Sequence, residues 1–170
     1  MDSIQIEQTN DFSEYELLDS GEYAKLERFG KYTIIRPDPR ALWKPSLDGK
    51  IWDTADARYD FDARSRGTWV RLPDNASWKI TFKGITFSLR PTEFKHVGVF
   101  PEQAVNWNFL AKQVSGKSVK ILNLFAYTGG ATMIGLQNGA SVTHVDSAKS
   151  AIEWAKENIR KRARFELSTA

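Results

Sequence analysis

The rhythm of apolar and polar positions changes near residue 96. Before it, short runs of alternating character predominate: YELL (15–18), YAKLER (23–28), YTIIRP (32–37), WVRL (69–72), WKITF (78–82) and ITFSLR (85–90). They are rich in aromatic and β-branched residues. Turn-forming groups punctuate them: Asp19-Ser20-Gly21-Glu22, Phe29-Gly30-Lys31, Pro73-Asp74-Asn75 and Lys83-Gly84. This spacing predicts strands and tight turns in a small antiparallel β module. Pro37, Pro39 and Pro45 break any regular period between the two groups, which predicts an extended connection over 37–45.

Beyond residue 96 the elements lengthen. Residues 101–113 (PEQAVNWNFLAKQ) predict a helix, and VKILNLF (119–125) is a nearly continuous apolar run, the pattern of a parallel strand covered on both faces. A short helix is predicted over 131–138, stopped by Gly139. SVTHVD (141–146) predicts a second strand, with Ser147 as N-cap of the next helix. There Ala148, Ala151, Ile152, Ala155 and Ile159 fall at i, i+3, i+4, i+7 and i+11, one buried stripe. The whole predicts an α/β chain: a β-rich module over 1–95, then over 96–170 the first βαβα part of a Rossmann-like domain.

Composition narrows the chemistry. At 170 residues, 41% hydrophobic and 26% charged, the chain can build one ordinary domain or two small ones. It has no cysteine, which excludes a disulfide framework, a thiolate metal site and a thiol nucleophile within these residues. With only His96 and His144, a histidine metal cluster is not expected, and both histidines read as structural. No apolar run approaches the roughly 20 residues a spanning helix needs, so no membrane partner is expected and a cytoplasmic location is.

Charge is unevenly spread. Residues 1–22 hold seven acids and no Lys or Arg, whereas 23–95 hold fifteen Lys or Arg against nine acids. Such blocks suit an anionic partner such as RNA, although a solvated surface of mixed sign is the commoner reason for them. Trp43, Trp52, Trp69 and Trp78 lie in the basic stretch; core packing is the favoured reading over stacking on bases. Asp56-Ala57-Arg58 and Asp62-Ala63-Arg64 read as surface ion pairs.

In a βαβ unit, ligands bind at the carboxyl ends of the strands. NLFAYTGG (123–130) places two glycines where strand turns into helix, and Asp146 ends the second strand, where a carboxylate can accept ribose hydroxyls. Glycines at a helix start and an acid at a strand end also arise for structural reasons alone. In this order, with a strand before each, they point to a cofactor. A dinucleotide loop carries GxGxxG because a pyrophosphate is approached at several points. Here Gly129 and Gly130 are merely adjacent, which suits S-adenosylmethionine (SAM), a cofactor without phosphate, and disfavours an NAD-type oxidoreductase.

NLFAYTGGA (123–131) with GASVTHVDSAKSAIEWAKEN (139–158) resembles the SAM-binding segment of class I methyltransferases related to bacterial large-subunit rRNA methyltransferases. KLERFGKYTIIRPDPRALW (25–43) and FKHVGVFPEQAVNW (94–107) are similar to the small β module and connecting segment of one branch of that family. The resemblance implies SAM as cofactor and RNA, in particular rRNA, as methyl acceptor. It places Asn123, Phe125, Tyr127, Thr128 and Gly129 along the methionine end of the cofactor, Asp146 and Ser147 at its ribose and adenine, and Phe100, Glu102 and Gln103 beside it. FPEQ also reads simply as a helix start with Pro101 at its first position. The family's Asp-Pro-Pro type motif is missing from these residues. The catalytic residues are therefore expected beyond Ala170, and the chain is expected to be an N-terminal segment that is inactive alone. A non-catalytic RNA or protein interaction module derived from a methyltransferase is the alternative, and a homo-oligomer is left open.

Overall fold

The computed structural model describes residues 10–62, 64, 66–72 and 76–160. The proposed turn at Pro73-Asp74-Asn75 and the basic tail after Arg160 lie outside the described residues. The chain divides into two compact units. One comprises 12–84 and 88–98; the other includes, of the described residues, 10–11, 85–87 and 99–160.

In the first unit five strands form one sheet in chain order: β1 (Tyr15–Gly21), β2 (Ala24–Phe29), β3 (Tyr32–Pro37), β4 (Ala57–Phe61) and β5 (Gly67–Val70). The module is not purely antiparallel. β3 and β4 pair in parallel, Ile34 opposite Ala57 and Ile35 opposite Arg58. Parallel neighbours need a crossover. Residues 38–56 provide it, and within them lies α1 (Gly49–Asp53), capped by the Asp48 side chain accepting the Lys50 N–H at 2.8 Å. Neither α1 nor β4 was predicted.

What fastens the crossover is Asp19. Expected in a turn, it lies in β1 just past a register shift between Leu17 and Asp19. Its buried carboxylate accepts N–H groups from Leu47 (2.9 Å), Ser46 (3.2 Å) and the Trp52 indole (3.0 Å). The turn itself falls on Glu22 and Tyr23, both at positive φ (48° and 65°), held by N–H bonds to the carbonyls of Trp43 and Ala41. The core is Leu26, Phe29, Ile34, Ile35 and Ala57, joined by Ile80 and Phe82 of β6 (Trp78–Phe82); β7 (Ile85–Leu89) follows β6 along the chain. Within this core Arg36 meets Glu27 through two 2.7 Å bonds. Trp78 is buried as expected, but Trp43 is exposed, its indole N–H donating to the Ser20 carbonyl. Residues of the Asp-Ala-Arg repeats form exposed ion pairs with partners outside each repeat, Arg58 with Asp60 and Asp62 with Arg66, while Asp62 also accepts the Arg64 N–H and Asp56 the Thr33 N–H.

In the second unit a 3-10 turn (Pro101–Gln103) opens α2 (Ala104–Val114), followed by β8 (Lys120–Leu124), α3 (Gly130–Gln137), β9 (Ser141–Val145) and α4 (Lys149–Arg160). β8 and β9 pair in parallel from Lys120 opposite Ser141 to Leu124 opposite Val145. This is the predicted βαβα order of an α/β Rossmann-like chain. Gly139, at φ 88°, ends α3 as anticipated. Gly135 lets α3 settle on the sheet: a Cβ there would sit 2.9 Å from Val142 Cγ2 and 3.0 Å from Ile121 Cδ1. One expectation fails. Among the described residues β8 is not covered on both faces, because Leu122, Leu124 and Val145 share the face opposite Ile121 and Val142 and are exposed. On α4 the buried stripe is Ala151, Trp154, Ala155, Asn158 and Ile159, while Ala148 precedes the helix and is exposed. Among the described residues no helix is long and apolar enough to cross a membrane.

Candidate cofactor site at the ends of the parallel strands

β8 delivers the chain into a loop of alternating handedness: Phe125 at φ 55°, Tyr127 at φ 50° and Gly129 at φ 93°. Two non-glycine residues in the left-handed region store strain, which persists only where the surroundings hold it. Here they do. The Ala126 N–H bonds the Val145 carbonyl at 3.0 Å, the Tyr127 N–H bonds Asp146 Oδ2 at 2.8 Å, and Asn158 Nδ2 of α4 donates to the Thr128 carbonyl at 3.0 Å.

Asp146 is the common anchor. Its Oδ1 accepts the Ala148 N–H at 2.8 Å. The bonds from Ala148 and Tyr127 hold its carboxyl below the usual carboxylate range. Ser147 does not cap α4 as expected. The helix starts two residues later, and the carboxylate that gathers the backbone N–H groups ahead of it belongs to Asp146. An acid does this better than a hydroxyl because it accepts on two oxygens at once.

Beside the loop lies a pocket of about 350 Å³ whose walls include Phe100, Gln103, Trp107, Asn123, Tyr127 and Thr128. The Phe100 and Tyr127 rings lie 5.0 Å apart at 45°. Gly130 and Ala131, at the start of α3, also line it and bring their backbone to the wall. Of the candidates, the structure gathers Phe100, Gln103, Asn123, Phe125, Tyr127 and Thr128 here. Phe125 is 91% exposed, at the mouth. Glu102, Gly129, Asp146 and Ser147 are not among the lining residues. Glu102 is exposed on the 3-10 turn, and Gly129 and Asp146 belong to the framework that shapes the loop.

The glycine pair serves packing more directly than ligand approach. A Cβ on Gly130 would fall 2.6 Å from Trp107 Cζ2, and one on Gly129 would fall 3.3 Å from the Ala155 Cβ. Trp107, stacked on Phe87 at 5.3 Å, was not singled out in the sequence, nor were Thr132 and Asn158. Thr132 Oγ1 accepts from Asn123 Nδ2 at 2.9 Å and lies 2.9 Å from His144 Nδ1. A hydroxyl carries two lone pairs and one proton, so beside the bond from Asn123 it can either donate to Nδ1 or accept from it, according to the His144 tautomer. Burial lowers the His144 pKa against the opposing charge of Asp146, which favours the neutral ring.

The chemistry of the walls fits SAM. An aromatic pair suits the sulfonium, the Gln103 amide offers donor and acceptor to an amino-acid zwitterion, and the α3 start favours its carboxylate.

A βαβ crossover with a pinned loop after the first strand and a carboxylate after the second defines a Rossmann-like cofactor-binding domain. The chain matches the S-adenosylmethionine-dependent methyltransferase family model over residues 54–167 and belongs to that family. It is 36% identical over 101 residues to the ribosomal RNA large subunit methyltransferase K/L of Vibrio cholerae, covering 57% of this chain and 14% of that one. The Shewanella frigidimarina protein of the same name is 41% identical over 77 residues, covering 45% of this chain and 10% of its own. A solved SAM-dependent methyltransferase from Agrobacterium tumefaciens superposes with a TM-score of 0.83 at 40% identity, over 90% of this chain and 50% of that chain. The fold is shared at 17% identity with SMU.776, a protein solved in complex with SAH (TM-score 0.64; 90% of this chain, 43% of that one). The chain thus spans about half the length of the Agrobacterium protein and about a seventh of the Vibrio one.

Proposed function

We propose that this chain binds SAM in the pocket beside the Phe125–Gly129 loop and serves methyl transfer to RNA, with ribosomal RNA as the acceptor. The observation that carries the cofactor reading is the strained loop pinned at Tyr127 by Asp146 and at Thr128 by Asn158. When bound, SAM supplies an electrophilic methyl group on its sulfonium, so the protein's part is to bind and orient. In this reading Phe100, Gln103, Asn123, Tyr127 and Thr128 surround the methionine end, with Glu102 beside them and Phe125 closing the mouth. Gly129 sets the loop's curvature, and Asp146 with Ser147 meets the ribose and adenine. Residues 1–95 form the module that positions the acceptor, and 96–170 carry the cofactor. The names of the Vibrio and Shewanella relatives support rRNA, which in turn supports a cytoplasmic location. No Asp-Pro-Pro motif occurs in the sequence, so the reading assigns these residues cofactor binding and acceptor placement but not transfer by themselves.

Isothermal calorimetry with S-adenosylhomocysteine, with NADH as comparison, tests the reading. Micromolar binding of the first alone is expected. Absence of heat with S-adenosylhomocysteine overturns the cofactor reading, and RNA binding that persists without it favours the interaction-module alternative.

A further inference from the structure

The first unit contains a concavity that the cofactor reading does not use. A pocket of about 680 Å³ opens between the β2 start, β4 and the segment 94–96, with Ala24, Ile35 and Tyr59 on its floor. Tyr23, Phe61 and Phe94 stand around it and are 62%, 60% and 68% exposed. Large aromatic side chains left in water around one hollow mark an interaction site more than a core. Tyr23 is the clearest case. It occupies φ 65°, a conformation asparagine or glycine takes with less strain, so the ring is not there for the turn's benefit.

Two cations, Lys95 and Arg58, and two acids, Glu22 and Asp60, edge the same hollow. Lys95 is held with its Nζ 2.8 Å from the Pro37 carbonyl. Its pKa is lowered, first by burial and then by the charges of Lys25, Arg36 and Arg40, with Asp38 opposing. Arg58, half exposed on β4, borders the pocket and pairs with Asp60 at 2.6 Å. Rings that offer flat faces together with cations able to meet a phosphate are the pairing that single-stranded nucleic acid recognises. A proline-rich peptide would use the rings but has no need of the cations.

We propose that this pocket takes an unpaired nucleotide of single-stranded RNA, its base against Tyr23, Phe61 and Phe94 and its phosphate at Lys95 and Arg58. The inference rests on the RNA reading above and adds to it a second site, separate from the cofactor pocket.

The test is fluorescence anisotropy of the full chain with a 5′-labelled single-stranded RNA of about ten nucleotides, long enough to fill one binding module. Phe94→Ala and Tyr23→Asn are each expected to weaken binding about ten-fold, as loss of a base-stacking ring does. Both side chains are exposed, so thermal melting should not fall, and the asparagine variant, relieved of strain at position 23, should melt no lower than the parent. Phe109→Ala, an equally exposed ring on α2, is expected to leave RNA affinity alone. A strand of the same length with abasic sugars should bind the parent chain as weakly as the variants bind the intact strand. Parent-like affinity in both pocket variants, or equal affinity for the abasic strand, overturns the pocket while leaving the RNA reading intact. Absence of RNA binding by the parent at low salt, or displacement of the RNA by a proline-rich peptide, overturns the nucleotide assignment; the first of these also removes the RNA reading.

Discussion

Asp146 Oδ2 accepts the Tyr127 N–H at 2.8 Å, so the end of the second parallel strand fixes the loop that leaves the first. One carboxylate thereby shapes the methionine side of the pocket and, in the proposed reading, is available to ribose hydroxyls. Removing it should damage both. Asp146→Ala leaves the Tyr127 and Ala148 N–H groups unpaired and is expected to cost about 1–3 kcal/mol of stability. Asp146→Asn keeps one of the two acceptor oxygens and turns an NH2 toward the other N–H, so it should recover only part of the melting temperature, while S-adenosylhomocysteine affinity stays about ten-fold down, the size of one charged hydrogen bond. Calorimetry that finds full affinity in the asparagine variant would remove the ribose role.

His144 makes stability depend on pH in a defined direction. Its folded pKa lies below the ordinary value of about 6.5 because burial disfavours the imidazolium. The unfolded chain therefore binds the proton first as pH falls, and stability contributed by the neutral ring is full above about 6.5 and lost progressively below it, down through the folded pKa. Asp146 adds an acid limb: its lowered pKa gives stability that is present above the ordinary Asp range and lost as pH falls through the folded value. His144→Gln should flatten the upper limb of a denaturation-midpoint profile and leave the lower one. An unchanged upper limb would show that the ring is not the group titrating there.

Much of this site is legible in the sequence because its parts are local. The strand, glycine pair and helix of 119–138 follow one another, and Asp146 follows its strand directly. What escaped was fixed by partners far along the chain. Asn158 reaches Thr128 across thirty residues, and Trp107 explains why Gly130 is bare, yet each reads alone as an ordinary helix residue. The same holds for the β module. α1 is five residues long and buries none of them, and β4 interleaves Arg58 and Asp60 with Ala57 and Tyr59. Asp19 looked like a turn residue because its true partners, Ser46, Leu47 and Trp52, lie in a crossover whose path no local pattern reveals. The exposed face of β8 has a different cause. An apolar run predicts that a strand is suited to burial on both sides, not that both sides are covered within the same residues.

The Glu27 and Arg36 pair predicts an asymmetry between breaking and replacing a buried ion pair. Glu27 is fully buried and accepts two 2.7 Å bonds from Arg36 and one of 3.0 Å from the Tyr15 hydroxyl. Glu27→Ala strands the guanidinium and is expected to cost about 3–5 kcal/mol. Glu27→Leu with Arg36→Met removes both charges and should recover most of that loss. Urea denaturation in which the double variant is no better than the single one would mean that the pair holds the strands in register rather than merely neutralising itself.

Gly130 and Trp107 yield the sharpest packing test, because a single added methyl has one identified neighbour. In Gly130→Ala the new Cβ lies 2.6 Å from the indole Cζ2, closer than real contacts allow, and the ring is already stacked on Phe87. Overpacking of this kind costs about 1–3 kcal/mol. Gly129→Ala meets the Ala155 Cβ at 3.3 Å, with the Ala155 Cα at 3.7 Å and His144 Cε1 at 3.9 Å in ordinary contact, so its penalty comes chiefly from φ 93° and should be felt in the loop. Trp107→Leu alone opens a cavity and destabilises. Combined with Gly130→Ala it relieves the clash, so the two changes together should cost less than the sum of their separate effects by about 1 kcal/mol or more, a coupling expected of residues in contact. Trp107→Leu should give Gly129→Ala no comparable relief. Additive costs for Gly130 and Trp107 would place the indole elsewhere in solution, and the wall it gives the cofactor pocket would go with it.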